Sequence, residues 1–141
     1  MLKKLILGFI AVFVLVPTLS LAADNKMVIQ VSSKDKIHQK MALLNAKNLK
    51  TTLGNDAVDV EIVVFGPGLG LLKTSSWSAD RVTDLMKEYG VKVSVCEGTL
   101  KAYAKRHDGK MPELVSGATK VKTGALRIMQ LQQQGYAYLR P

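Results

Sequence analysis

The hydrophobic positions of this chain alternate between two spacings, one typical of strands and one typical of helices. Short apolar segments predict five strands, at residues 27–31, 58–65, 91–95, 118–122 and 136–139. The segment 58–65 first alternates between apolar and polar residues and then becomes continuously apolar, as a strand covered on both faces should. It is therefore expected near the centre of the sheet.

Four helices are expected between the strands, each with apolar residues close to one face. In the first, capped by Ser33 or Asp35, these residues are Ile37, Met41, Leu44, Leu49 and Leu53. In the second, from about Ser78 to Tyr89, they are Val82, Leu85, Met86 and Tyr89. In the third they are Leu100, Tyr103 and Ala104, and in the fourth, capped by Thr123, they are Ile128, Met129 and Leu131.

Alternation of strands and helices predicts an α/β fold, a three-layer α/β/α sandwich with a mainly parallel sheet of about five strands. In such sheets functional groups gather beyond the carboxyl ends of the strands. The segments Phe65–Gly70 and Cys96–Thr99 both follow predicted strands, so we expect both at that edge.

The amino terminus has the pattern of a secretory signal peptide. Lys3 and Lys4 precede an apolar run, and Ser20-Leu21-Ala22 supplies small residues for cleavage after Ala22. The run is shorter than the roughly 20 residues that span a bilayer, so cleavage is favoured over retention as an anchor. We expect a signal peptide at 1–22, one domain at 23–141, a periplasmic or secreted location and no stable membrane anchor after cleavage.

The charge is strongly basic, with 20 Lys and Arg residues against 11 Asp and Glu residues. Solubility explains this balance better than nucleic-acid binding, because aromatic residues are not interleaved with the lysines. No nucleic-acid partner is expected.

Cys96 is the single cysteine, so it forms no internal disulfide. It lies where a predicted strand meets a helix start, and the amides of Gly98 and Thr99 and the Thr99 hydroxyl are placed to stabilise its thiolate. Glu97 opposes that effect through its negative charge. Cys96 is the candidate catalytic residue, and an inert, buried thiol is the alternative.

The glycine-rich segment after the second predicted strand and the two histidines do not indicate a nucleotide site or a metal site. The segment Gly66-Pro67-Gly68 lacks the spacing of a nucleotide-binding loop. Its small residues instead favour a tight strand-to-helix turn, which is expected to form part of the rim around Cys96. His107 is expected to contact carbonyl groups at a helix end, and with His38 far away in sequence no metal-ligand spacing exists. No metal and no cofactor are predicted.

Three segments together resemble the DsrE/DsrF-like sulfur-relay family. They are Val93-Ser94-Val95-Cys96-Glu97-Gly98-Thr99-Leu100, Val63-Val64-Phe65-Gly66-Pro67-Gly68, and residues 124–141 with the pattern Leu-Gln-x-x-Gly-Tyr-Ala-Tyr at its centre. The resemblance implies a flavodoxin-like topology and assembly into homotrimers or homohexamers. It also implies that Cys96 accepts sulfur as a persulfide from a donor protein and passes it to an acceptor protein.

Two functions stay open. In the first, the protein is an exported sulfur carrier or sulfurtransferase-like protein that exchanges sulfur through Cys96. In the second, it is a non-catalytic oligomeric module that binds a ligand or protein at the sheet edge, while Cys96 is only packed.

Overall fold

The computed structural model describes residues 25–141, so the predicted signal peptide at 1–22 lies outside the described residues. Within residues 25–141 none of the helices has both the length and the apolar character needed to cross a membrane. The strands are β1 (Asn25–Val31), β2 (Val58–Val64), β3 (Lys92–Cys96), β4 (Thr119–Val121) and β5 (Ala137–Leu139). The α-helices are α1 (Lys36–Leu53), α2 (Ala79–Tyr89), α3 (Glu97–Lys105) and α4 (Gly124–Gln133).

The five strands form one sheet in the order β4-β3-β2-β1-β5, and every pairing is parallel. Helices cover both sides of it, which confirms the predicted three-layer α/β/α fold. The edge strand beside β1 is β5, the last strand of the chain. In the flavodoxin order 2-1-3-4-5 the second strand of the chain occupies that edge position.

The strand order also decides which helices share a face. Consecutive steps from β1 to β4 run in one direction across the sheet, and right-handed connections place α1, α2 and α3 on the same side. Their buried residues, such as Leu43, Val82 and Leu100, form one apolar cluster with the strands. The return from β4 to β5 places α4 on the opposite side, where Ile128 and Leu131 pack on Val28 and Val63 in a smaller cluster.

The apolar face that the sequence indicates on α1 does not form the core. Ile37 is 68% exposed, and Met41, Leu44 and Leu53 are each more than 40% exposed, while Leu49 alone of the five packs partly against the core. The buried residues of α1 are Gln39, Ala42, Leu43, Ala46 and Lys50. The small Ala42 and Ala46 side chains let the helix approach the sheet closely.

The two buried polar residues of α1 have backbone partners. Gln39 Nε2 donates a hydrogen bond to the Ser33 carbonyl oxygen at 2.9 Å. Lys50 Nζ donates to the carbonyl oxygens of Asn55 at 2.9 Å and Val58 at 2.7 Å. Because these carbonyl oxygens accept hydrogen bonds from the side chains of Gln39 and Lys50, the burial of both side chains is tolerated. The more apolar side of α1 therefore faces outward.

The face of the sheet under α4 contains a buried ion pair. Glu61 in β2 is 1% exposed and accepts hydrogen bonds from Arg127 Nε at 2.8 Å and Arg127 Nη2 at 2.6 Å. The Ser94 hydroxyl donates to the same carboxylate at 2.5 Å. This bidentate pair fixes the first turns of α4 against β2.

The chain after β2 forms a short 3₁₀ helix, Gly66–Leu72, where the sequence indicates a tight loop. The 3₁₀ helix lies directly against the end of β1, as the surroundings of Gly68 show, where an added Cβ atom would overlap the Val31 carbonyl oxygen. A side chain at Gly68 would therefore force the two segments apart.

Candidate functional site

Cys96 is both the last residue of β3 and the residue that precedes the first turn of α3. Only 8% of it is exposed, and it belongs to neither apolar cluster. It lines an open cavity of about 720 Å³ at the carboxyl edge of the sheet. Cys96 is thus set back from the surface and borders a space that is large enough for a small molecule.

Four hydrogen-bond donors lie near the Cys96 thiol and affect its pKa. Burial by itself raises the pKa of the Cys96 thiol. The Thr99 hydroxyl and the backbone amides of Thr99, Gly124 and Gly98 favour the thiolate more strongly, so the net effect is a pKa below the usual value for cysteine. Glu97 is not among the groups that shift this pKa.

Thr99 connects two segments of the site. Its hydroxyl oxygen accepts a hydrogen bond from the Gly66 amide at 2.8 Å. The same hydroxyl group has its own hydrogen to donate toward Cys96. Thr99 therefore holds the loop after β2 at a fixed place relative to the sulfur.

A second helix begins beside the thiol. Thr123 caps α4 by accepting a hydrogen bond from the Leu126 amide at 3.1 Å, and Gly124 is the first residue of the helix. A Cβ atom added at Gly124 would be 2.5 Å from Cδ1 of Phe65. Only glycine lets the start of α4 pass this close to the ring, and the Gly124 amide thereby reaches Cys96.

The amino-terminal ends of α3 and α4 therefore both face one sulfur atom. Each helix end presents unpaired amides and a partial positive charge, and each stabilises an anion. Lys34 and Arg106 also line the cavity, and within residues 25–141 no acidic side chain does so. The site is thus suited to a thiolate and to other anions near it.

The structure brings most of the predicted site residues together. Gly66, Pro67, Gly98 and Thr99 line the same cavity as Cys96. Gly68 lies behind them and lets the 3₁₀ helix approach β1.

Among the lining residues outside the predicted site are Lys34, Phe65, Thr123 and Gly124. One sequence signal could have added the last two. Thr123 was expected to cap a helix directly after a strand, and a helix that follows a parallel strand starts at the carboxyl edge of the sheet. Phe65 belongs to the segment 65–70, which the sequence already places at this edge, whereas no local pattern identifies Lys34.

The histidines lie outside this site. The His107 ring stacks on Tyr103 with 3.8 Å between centroids, and its Nδ1 lies 2.8 Å from the Tyr103 carbonyl oxygen. His107 thus contacts a carbonyl at the end of α3, as the sequence indicates. Among residues 25–141 no group of three His, Cys, Asp or Glu residues is arranged to hold a metal ion.

Comparison with known proteins agrees with this fold. The family model described as "DsrE/DsrF-like family" matches residues 25–141. The solved structure of a protein of unknown function, MTH1491 from Methanobacterium thermoautotrophicum, is similar, with a TM-score of 0.73 and 27% sequence identity. The similarity covers 84% of this chain and 100% of that one. No curated protein matches the chain. Since the family model covers every residue that the structure describes, the chain belongs to the DsrE/DsrF-like family.

Proposed function

We propose that this protein is a sulfur carrier that accepts and releases sulfane sulfur at Cys96. The observation that supports the proposal is the position of Cys96, which lines an open cavity near the Thr99 hydroxyl and the backbone amides of Gly98, Thr99 and Gly124. These donors stabilise a thiolate, which is the nucleophilic form of cysteine. They are equally suited to the negative charge of a persulfide.

The transfer consists of two exchange reactions. The Cys96 thiolate attacks the outer sulfur of a donor persulfide, the sulfur–sulfur bond of the donor breaks, and the donor leaves as a thiolate that takes up a proton. Cys96 is now a persulfide. A thiolate on an acceptor then attacks its outer sulfur and releases Cys96 as a thiolate, so no external oxidant or reductant is needed.

The experiment is sulfur loading followed by mass spectrometry of the intact protein. Brief exposure to inorganic polysulfide should add one or more sulfur atoms to the protein, and dithiothreitol should remove them. Cys96→Ser is the matched control, and because Cys96 is the single cysteine it should gain no sulfur. Loading of Cys96→Ser to the wild-type level would contradict the proposal. Slow alkylation of Cys96 in the folded protein would instead favour the non-catalytic binding module.

We also propose that the protein works after export and as a homo-oligomer. Export is supported by the pattern of residues 1–22, and sequencing the amino terminus of the mature protein tests it. Self-association is supported by the exposed stripe on α1, formed by Ile37, Met41 and Leu44. Its partners in sulfur exchange would be a donor and an acceptor protein.

A further inference from the structure

A second cavity adjoins the one that contains Cys96. Its volume is about 580 Å³, and it shares Lys34 and Pro67 with the first. Lys36, Lys73 and Trp77 are among its other lining residues. The two cavities therefore adjoin each other at these two residues, and a ligand in the second one lies next to the cavity that Cys96 lines.

The combined space is positively charged. Lys34, Lys36 and Lys73 line the second cavity, and Arg106 lines the first. In the part of the chain from 25 to 141 none of the residues that line either cavity is acidic. Cations without counter-charges in a concave surface attract anions and raise their local concentration.

One of these cations is held in place. Lys73 Nζ lies 3.3 Å from the Tyr103 hydroxyl and 4.4 Å from the centroid of the Tyr103 ring. The contact with the ring leaves donor positions of the ammonium group free for a ligand, because the face of an aromatic ring attracts the cation without accepting a directed hydrogen bond. Lys73 is therefore positioned in advance at the cavity wall.

The remaining lining groups fit a ligand with amides as well as carboxylates. Ser75 and Ser76 supply hydroxyl groups, and Trp77, which is 39% exposed, supplies a flat apolar ring. A volume of this size is typical of small-molecule sites. The chemistry therefore fits a small, peptide-like molecule with negative charges.

We propose that the second cavity binds the carboxylate groups of a small thiol persulfide, whose outer sulfur extends into the first cavity toward Cys96. The transfer step rests on the function proposed above, whereas the carboxylate binding does not. In that step the Cys96 thiolate forms a bond to the outer sulfur, the donor's sulfur–sulfur bond breaks, and the donor leaves as a thiol after gaining a proton.

The test compares two donors that differ in charge. Glutathione persulfide has two carboxylates, whereas cysteamine persulfide has an ammonium group and no carboxylate. The rate at which each donor loads Cys96 is measured by mass spectrometry on the full protein. The test variant is Lys36→Gln with Lys73→Gln, because both residues line the second cavity but not the first.

A matched control removes the same charge elsewhere. Lys47→Gln with Lys110→Gln alters residues that line neither of the two cavities, and Lys47 lies 5.3 Å from the Tyr89 ring centroid in a contact like that of Lys73. Loading by glutathione persulfide should slow about tenfold in the test variant, since two charged hydrogen-bond donors are lost. Loading by cysteamine persulfide should stay within about twofold, and the control should match the wild type with both donors.

A binding measurement separates this proposal from the sulfur-carrier function. S-methylglutathione has the same carboxylates and no sulfur to transfer, and its binding is measured by calorimetry. Binding to the wild type that weakens about tenfold in the test variant would support the carboxylate site even if neither donor loaded Cys96, in which case the sulfur-carrier function alone would fail. Equal binding to both proteins, or equal slowing with both donors, would overturn the carboxylate site.

Discussion

At the scale of single residues, Thr99 contributes more than Gly98 or Gly124 to the acidity of the Cys96 thiol. Its hydroxyl and amide are two of the four donors that lower the pKa of Cys96, and its hydroxyl oxygen also binds the Gly66 amide. The side chain therefore has an electrostatic role and a positioning role at the same time.

Replacing Thr99 tests its effect on the acidity of Cys96 by a pH profile. In Thr99→Val the pKa of Cys96 should rise, because the thiolate loses a hydroxyl donor. Alkylation by iodoacetamide at neutral pH should then slow about tenfold, the effect expected for one hydrogen bond to a charged group. Thr99→Ser keeps the hydroxyl and should retain the wild-type profile. If the pH dependence of Cys96 alkylation were unchanged in Thr99→Val, the backbone amides alone would account for the lowered pKa of Cys96.

The lowered pKa also links Cys96 to stability. A group whose pKa is lower in the folded protein adds stability above its unfolded pKa, which is near 9 for cysteine, and loses it as the pH falls through the folded pKa. The free energy of unfolding of the wild type, relative to Cys96→Ser, should therefore rise with pH through that window. Urea denaturation at several pH values measures the free energy of unfolding of both proteins. A difference between them that does not change with pH would contradict the linkage.

The sequence was informative about the thiol and less so about its neighbours. Cys96, Gly98 and Thr99 are consecutive or nearly so, and one strand-to-helix junction places all three, so a local pattern is sufficient. Gly124 reaches the same sulfur only through the packing of α4 across the sheet and against Phe65. Such a contact depends on strand order, which the local spacing of hydrophobic residues does not specify.

At the scale of elements, the start of α4 depends on the absence of a side chain at Gly124. In Gly124→Ala the new methyl group would meet Phe65 Cδ1 at 2.5 Å, so the helix or the ring must move. We expect a loss of about 1–3 kcal/mol in the free energy of unfolding. Alkylation of Cys96 at neutral pH should slow as well, because the Gly124 amide moves away from the sulfur.

Gly70→Ala is the control for this change. Gly70 lies in the 3₁₀ helix at the same edge of the sheet, and a Cβ atom there would have no heavy atom within 4 Å. Urea denaturation and alkylation rates should be close to those of the wild type. A Gly124→Ala protein that behaved like Gly70→Ala would show that Phe65 moves without cost.

The ion pair between Glu61 and Arg127 is the second feature that places α4. Arg127→Met would leave a carboxylate that is 1% exposed without its cation, which typically costs about 3–5 kcal/mol. Glu61→Gln combined with Arg127→Met removes both charges and should recover part of that loss. Urea denaturation of the two variants measures the difference. Equal stability of the single and double variants would contradict a paired, buried charge.

Helices α1 and α2 differ in how well their packing follows from the sequence. In α2 the expected inward residues Val82 and Leu85 are buried, because this helix is amphipathic and has one solvent-facing side. In α1 the largest apolar residues face outward, and satisfied polar groups and alanines face the sheet. The hydrophobic pattern of α1 identifies which side of the helix is more apolar, but it does not predict whether that side packs on the sheet.

At the scale of the whole molecule, the α1 stripe predicts self-association. Met41→Lys should shift the protein from oligomer to monomer, weakening association about tenfold or more, since each buried methionine side chain contributes about 1.5–3 kcal/mol. Light scattering coupled to size-exclusion chromatography measures the mass. Met111→Lys makes the same change at a residue that is 62% exposed and lies outside α1, and it should leave the oligomer intact. A wild-type protein that is monomeric at high concentration would contradict the prediction.

The connection from β4 to β5 crosses the sheet through α4, and this has a consequence for the order of events during folding. Strands β1 to β3 and helix α3 end by residue 105, and they already contain Cys96 with the amides of Gly98 and Thr99. The Gly124 amide arrives only when residues 123–139 have docked. A truncated chain that stops before that point should therefore expose a cysteine of more ordinary acidity, so that full reactivity develops only once folding is complete.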